Sequence, residues 1–212
     1  TQRVLHTPIT NLEQLKFDVT KQLENIERGE HVIIVVDSVG GVASKKEFTD
    51  ALAKNEAQDM TRPKQLKSLF RIVTPHLRMK DLPMVVVNHI YMSQTGTAPT
   101  AVVGGGQGSY LASDSVFIVG RQKESEGQGA DKELLGFNFT LKVDKSRYVK
   151  EQSKIDVELT WDEGINIWSG LLDLAIESGH VGNEKQGWYT KKGEPKSYRR
   201  DDTNNEEFWS SI

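Results

Sequence analysis

The stretch His31–Ser38, HVIIVVDS, constrains the fold most: five consecutive β-branched apolar residues end abruptly in an aspartate and a serine. Such side chains lose rotamer freedom in a helix and pack well on a pleated sheet. A run this short and this uniformly apolar predicts a strand buried on both faces, as in a parallel sheet flanked by helices. Ligands of such sheets gather beyond the carboxyl ends of the strands, which is where Asp37 stands. A carboxylate there can hold a hydrated magnesium ion beside nucleotide phosphates. It can equally cap the segment that follows.

Composition narrows the classes. A chain of 212 residues suits one domain with a substantial core, and no linker or internal repeat argues for a second. Twenty-seven Lys and Arg balance thirty Asp and Glu, so any nucleic-acid surface must be local rather than a global basic field. The absence of cysteine excludes disulfides, thiolate metal sites and cysteine nucleophiles. The five histidines show no metal-ligand spacing. No apolar run approaches the ~20 residues of a membrane helix, and the first residues do not read as a secretory leader. The chain reads as soluble and intracellular.

Taken in order, Asn11 is a fair helix N-cap with Gln14 three residues on, and Leu12, Leu15, Val19, Leu23 and Ile26 recur at helical spacing up to Gly29. Helix and strand with a brief connection point to an α/β fold. After Ser38, Val39–Lys46 reads as a loop that allows close backbone approach at Gly40 and Gly41. Residues Glu47–Asp59 are polar with few anchors and read as either helical or mobile. Asp59–Pro63 reads as a helix start with Pro63 in the first turn. Leu66, Leu69, Phe70, Val73 and Leu77 form its apolar stripe, flanked by Arg62, Lys64, Lys67 and Arg71, which base rates assign to a solvated face.

Pro83–Asn88 is a second buried strand, also ending in polar residues, Asn88 and His89. Two such ends make a site more credible than one. Thr95–Gly108, rich in glycine and threonine, reads as a long loop inside the domain, because a further buried strand, Ser115–Val119, follows it directly. Gly136–Val143 and Lys154–Trp161 alternate as strands with one covered face. Between them Lys145 and Arg147 stand two residues apart, on one face of an extended chain; taken alone they are surface charge. Gly164–Gly179 carries a helix closed by Gly179. Trp188–Tyr189 and Phe208–Trp209 read as aromatic anchors of core or subunit contacts.

These pieces, in this order, resemble the RecA-family recombinases, and most closely the UvsX branch of T-even-type bacteriophages. The landmarks are VIIVVDS at Val32–Ser38, SLFRIVTP at Ser68–Pro75, VVVNH at Val85–His89, GGG at Gly104–Gly106, KSR at Lys145–Arg147, DEGIN at Asp162–Asn166, and SGLLDLAIESG through GWY from Ser169 to Tyr189. The resemblance implies a RecA-like P-loop NTPase core: a mostly parallel central sheet flanked by helices, with antiparallel strands towards the C-terminal side and residues ~160–212 as a small subregion. It implies an ATP- and magnesium-dependent protein that forms filaments on single-stranded DNA, takes up double-stranded DNA and exchanges strands in the host cytoplasm.

By position, Asp37 matches the aspartate that assists magnesium through water, with Ser38 beside it on the nucleotide. Asn88 and His89 match the polar site that senses the terminal phosphate and signals to DNA. Bacterial relatives carry glutamine where His89 stands. The second DNA loop matches Thr95–Gly108, with Thr95, Gly96, Thr97, Gly104, Gly105, Gly106 and Gly108 as close-approach positions. The first DNA loop and its following helix match the region of Asp50–Lys67, making Arg62, Lys64 and Lys67 phosphate contacts. Lys145 and Arg147 match cations extended to a neighbour's ATP, and Trp161 an aromatic against adenine, with core packing the alternative for Trp161.

No G-x-x-x-x-G-K-[ST] occurs in the 212 residues; the cluster at Gly104–Gly108 lacks the lysine and is not a phosphate loop. The resemblance places that loop and the catalytic glutamate before the position of Thr1, so the chain looks like the C-terminal two-thirds of the core. It also places the phosphate-loop strand between Pro83–Asn88 and Ser115–Val119, leaving edges for a partner chain or a rearranged pairing to cover. The polypeptide as it stands is expected neither to bind ATP tightly nor to hydrolyse it. A hexameric replicative helicase and a short, ATP-independent DNA-binding or filament-modulating protein are the rival readings.

Overall fold

In the computed structural model, residues 3–54, 61–94, 100–104, 106–126, 133–210 and 212 are described. The chain forms two compact units, Thr1–Ser113 and Asp114–Ile212, and the architecture is mixed α/β.

The first unit starts with α1 (Leu12–Asn25). Asn11 caps it as expected, its Oδ1 accepting from the Gln14 amide at 2.9 Å. The other end is closed by Lys80, whose Nζ donates to the carbonyls of Leu23 and Ile26, a cation on orphan C-terminal carbonyls. Strand β1 (Ile34–Val36) follows, then a single 3-10 turn at Val39–Gly41 and α2 (Lys45–Leu52). Of the two readings of the Glu47–Asp59 segment, helical or mobile, the described part is helical; α2 starts two residues earlier, at Lys45, and its start carries a capping box. Ser44 Oγ accepts from the Glu47 amide at 3.0 Å while Glu47 reaches back to the Ser44 amide.

Helix α3 (Thr61–Lys80) starts with Pro63 in its first turn and runs through Pro75. Strand β2 (Met84–Val86) pairs with β1 in parallel, Ile34 opposite Met84 and Val36 opposite Val86. The core lies where α1, α3 and one face of this pair meet: Leu12, Leu15, Val19, Leu23, Leu66, Leu69, Phe70 and Val73 are buried, with Ile34, Val36, Met84 and Val86 against them.

The expectation of a strand buried on both faces is half right. Ile33 and Val35 are 57% and 60% exposed, and Val85 and Val87 are 49% and 42% exposed. The described residues build helices against one face only, and the period-2 alternation of strand side chains sends every second valine to the other.

Thr95–Gly108 is likewise not one long loop. Strands β3 (Ile90–Ser93) and β4 (Thr100–Val103) form an antiparallel hairpin, Ile90 opposite Val103, and α4 (Gln107–Ala112) begins at the far end. Residues Thr95, Gly96, Thr97 and Gly105 lie outside the described residues.

The second unit is led by an antiparallel sheet of β5 (Ser115–Glu126), β6 (Glu133–Ser146), β7 (Lys154–Thr160) and β8 (Gly164–Ile165), paired in that order. Strand β5 is not the buried strand expected at Ser115–Val119: Phe117 and Val119 are 47% and 53% exposed, and it runs seven residues past Val119 because polar Arg121–Glu126 keep pairing with β6. Gly136 allows the close pairing of β6 with β7: a Cβ there would fall 2.0 Å from the Leu159 carbonyl oxygen. Helix α5 (Leu171–Glu177) follows Gly170, whose φ of +73° suits glycine.

A three-stranded sheet of β9 (Val181–Lys185), β10 (Trp188–Lys191) and β11 (Ser197–Arg199) and the short α6 (Glu206–Trp209) close the unit. Leu172, Ala175, Val181, Tyr189 and Phe208 form its core, so Tyr189 and Phe208 are the anchors the sequence suggested. Beside them, the Tyr198 phenol is pushed above its usual range by loss of solvation, and then by the hydrogen bond to Glu194.

Leu66 is fully buried between α1 and α3. Its replacement by alanine is expected to cost about 2–5 kcal/mol. Urea unfolding followed by helical circular dichroism at 222 nm should show the midpoint falling by about 1 M or more.

Candidate functional site

The site is built at the carboxyl ends of β1 and β2. Parallel pairing continues past both strands: the Val87 amide donates to Val36 O at 2.9 Å and the Val39 amide to Val87 O at 3.0 Å. Asp37 and Ser38 therefore leave the sheet beside Asn88 and His89. The Asp37–Ser38 peptide is cis. Asp37 is exposed and Ser38 half-buried. An exposed carboxylate at this position fits a water-mediated contact to magnesium, which takes one or two carboxylates and fills its remaining positions with water and phosphate oxygens. Among the described residues no three His, Asp, Glu or Cys side chains gather as a complete ligand set.

The turn after Ser38 is pressed against His89. A Cβ on Gly40 would stand 2.7 Å from His89 Cγ and 2.9 Å from its Nδ1, so only glycine lets the imidazole lie on this backbone. The sequence expectation of close approach holds at Gly40, and the approaching group is a side chain of the chain itself.

On its other side His89 is tied to the hairpin. The Gly104 amide donates to His89 O at 2.9 Å. Asn88 Nδ2 donates to Gly104 O at 2.8 Å, and Asn88 Oδ1 accepts from the His89 amide at 2.9 Å. Asn88 thus bridges the end of β2 and the end of β4. The structure brings Asp37, Ser38, Asn88, His89 and Gly104 into one neighbourhood.

The cations of α3 divide. Lys64 and Lys67 are exposed, and Gly108 packs against the backbone of Lys67, its Cα hydrogens facing Lys67 Cα where a Cβ would come within 3.0 Å. That contact sets the start of α4 beside this face of α3. Gly106 takes a φ of +82° just before α4. Arg62 behaves differently. Its Nε donates to Val42 O at 3.1 Å, and its Nη2 to Val39 O at 3.0 Å and Gly40 O at 2.8 Å. The sequence gives no sign of this inward turn.

In the second unit Lys145 lies opposite Val116, and β6 ends at Ser146. Arg147 falls in the bend beyond, so the strand alternation that would put both cations on one face ends between them. Ser146 organises the bend, its Oγ accepting from the amides of Tyr148 and Val149 at 3.1 and 3.2 Å. Arg147 Nη1 pairs with Asp114 Oδ1 at 3.2 Å, and its amide donates to Asp114 O at 3.1 Å. Trp161 is 60% exposed and packs edge-on to Phe137, with ring centroids 5.5 Å apart. It is therefore not a core residue of the second unit.

The chain is similar to known proteins along its length. The family model for the C-terminal domain of the bacteriophage T4 recombination and repair protein matches residues 168–212. Over 221 aligned positions the chain is 45% identical to the recombination and repair protein of enterobacteria phage T4, covering all of the chain and 55% of the phage protein. Over 177 positions it is 29% identical to Protein RecA of Syntrophus aciditrophicus (strain SB), covering 82% of the chain and 49% of that protein. The resemblance to the RecA-family recombinases and their phage branch holds, and the chain spans about half the length of the curated relatives it matches.

Asn88→Ala should loosen the junction of β2 and β4, since a net hydrogen bond contributes about 0.5–1.5 kcal/mol. Amide hydrogen exchange at Gly104 is expected to accelerate several-fold. Asn88→Asp, which keeps the acceptor for the His89 amide but loses the donor to Gly104 O, should accelerate Gly104 while leaving His89 protected.

Proposed function

We propose that this chain is part of an ATP-dependent homologous-recombination protein with a RecA-like core, which coats single-stranded DNA as a filament and exchanges strands with duplex DNA. Asp37 and Ser38 face the nucleotide and its magnesium. Asn88 and His89 stand between nucleotide and DNA. Lys64, Lys67 and the segment Thr95–Gly108 face the DNA phosphates, where backbone amides and small side chains allow close passage of the strand. Lys145 and Arg147 reach a neighbouring subunit's nucleotide, with cations supplied in trans to charge developing on a transferring phosphoryl group. Trp161 packs on the adenine. The two units are read as parts of one such core.

The observation that carries this reading is the direct bond from Asn88 Nδ2 to Gly104 O. A polar side chain at the nucleotide end of a strand holds the base of the glycine-rich segment assigned to DNA. Movement of Asn88 must then move Gly104 or break the bond. Arg147 supports the assembly part of the reading, since an exposed guanidinium paired with an exposed Asp114 can leave that partner at little cost.

The test is binding of a fluorescent oligo-dT to the 212-residue chain by anisotropy, across a salt series. Affinity is expected to fall linearly with the logarithm of salt. Lys64→Gln and Lys67→Gln should each reduce the slope by about 0.7, the value for one single-strand phosphate contact. A chain that binds no oligonucleotide at low salt, or whose slope ignores both substitutions, contradicts the DNA assignment.

A further inference from the structure

Arg62 stands at the second position of α3, where the segment assigned to the first DNA loop enters the helix. Its charge does not face solvent alone. Three donor contacts, all 2.8–3.1 Å, end on the carbonyls of Val39, Gly40 and Val42, and the residue is half-buried. Carbonyl-to-guanidinium bonds are charge-assisted, and the planar fork fixes direction as well as distance. Those three carbonyls belong to the turn that leaves Asp37 and carries His89 on Gly40.

We propose that Arg62 is a positioning residue: by clamping the 39–42 turn from the start of α3 it holds the surface on which His89 rests. The assignment depends on the reading of Asp37 and His89 as the nucleotide side of a recombinase. It adds to that reading a second connection between DNA and nucleotide, separate from the Asn88–Gly104 bond. A displacement at the start of α3, as a strand docks on Lys64 and Lys67, moves the guanidinium. The guanidinium moves the turn, and the turn shifts the imidazole. Arg62 need touch neither DNA nor nucleotide to do this.

The geometry makes the turn a rigid intermediary. Val39 is buried, and its amide is spent on Val87 O, so the turn is pinned on the β2 side. Gly40 has no side chain to cushion His89. Sub-ångström shifts are passed on where packing leaves no slack.

The test compares the wild-type chain with Arg62→Gln, Arg62→Lys and Gly40→Ala. It has two readouts: the His89 ring Cε1–H cross-peak, assigned with His89→Gln, and the salt slope of oligo-dT binding. Arg62→Gln and Arg62→Lys are both expected to move the His89 peak by more than its line width and to speed exchange of the Val39 amide tenfold or more. A lysine ammonium cannot reproduce the fork. Both should leave the salt slope at its wild-type value. Gly40→Ala, with Arg62 intact, should move the same peak from the other side, which keeps the test open if an Arg62 variant does not fold. An unmoved His89 peak in Arg62→Gln, or a salt slope lowered by about 0.7 in Arg62→Gln and restored in Arg62→Lys, overturns the proposal and makes Arg62 a DNA contact. Absence of oligonucleotide binding in the wild type would count against the recombinase reading, while the His89 peak would still decide the role of Arg62.

Discussion

Two backbone hydrogen bonds beyond the β1–β2 ladder, from the Val87 amide to Val36 O and from the Val39 amide to Val87 O, keep the strand ends in parallel register after the strands have stopped. Every relation on the functional side of the first unit follows from them. They place Asp37 beside Asn88, set the 39–41 turn against His89, and deliver the end of β2 to Gly104. Among the described residues the pairing is covered from one side, by the apolar faces of α1 and α3. Burial of Ile34, Val36, Met84 and Val86 therefore fixes the position of a site made of polar residues one step further along each strand.

Glycine and arginine do complementary work around that site. Gly40 brings a backbone within contact of an imidazole, and Gly108 does the same for α4 against Lys67. Arg62 then immobilises the carbonyls that Gly40's turn exposes. A loop read as permissive from its glycines is thus held on three sides, by Val87, His89 and Arg62. The hairpin β3–β4 is attached to the same assembly through Asn88 and the Gly104 amide. In the second unit the corresponding fixed point is the Ser146 bend, which sets Arg147 against Asp114.

Much of this was legible in the sequence. The β-branched runs gave both parallel strands, Asn11 and Pro63 marked helix starts, and the landmarks from Val32 to Tyr189 gave the family resemblance. Other features were not. The uniform apolar run of His31–Ser38 predicts burial on both faces, but residue type does not say how many layers are present, and Val35 and Val85 face outward. The capping box at Ser44-x-x-Glu47 was a readable signal for α2 that the polar character of the segment hid. Ala101–Val103 is an apolar run too short to announce β4, whose pairing with Tyr91 and Met92 is tertiary information. The inward turn of Arg62 could not be read at all, because its acceptors lie twenty or more residues away and are backbone atoms, which leave no mark on residue type.

On the proposed reading, the ends of β1 and β2, the 39–42 turn and the base of the β3–β4 hairpin form one connected element between nucleotide and DNA. Residue-resolved amide exchange on the 212-residue chain, with and without saturating oligo-dT, tests it directly. The account predicts that the Gly104 and Val39 amides, whose bonds end on His89 O and Val87 O, slow together on binding. Protection gained at Gly104 with Val39 unchanged, or saturation that alters neither, would contradict it.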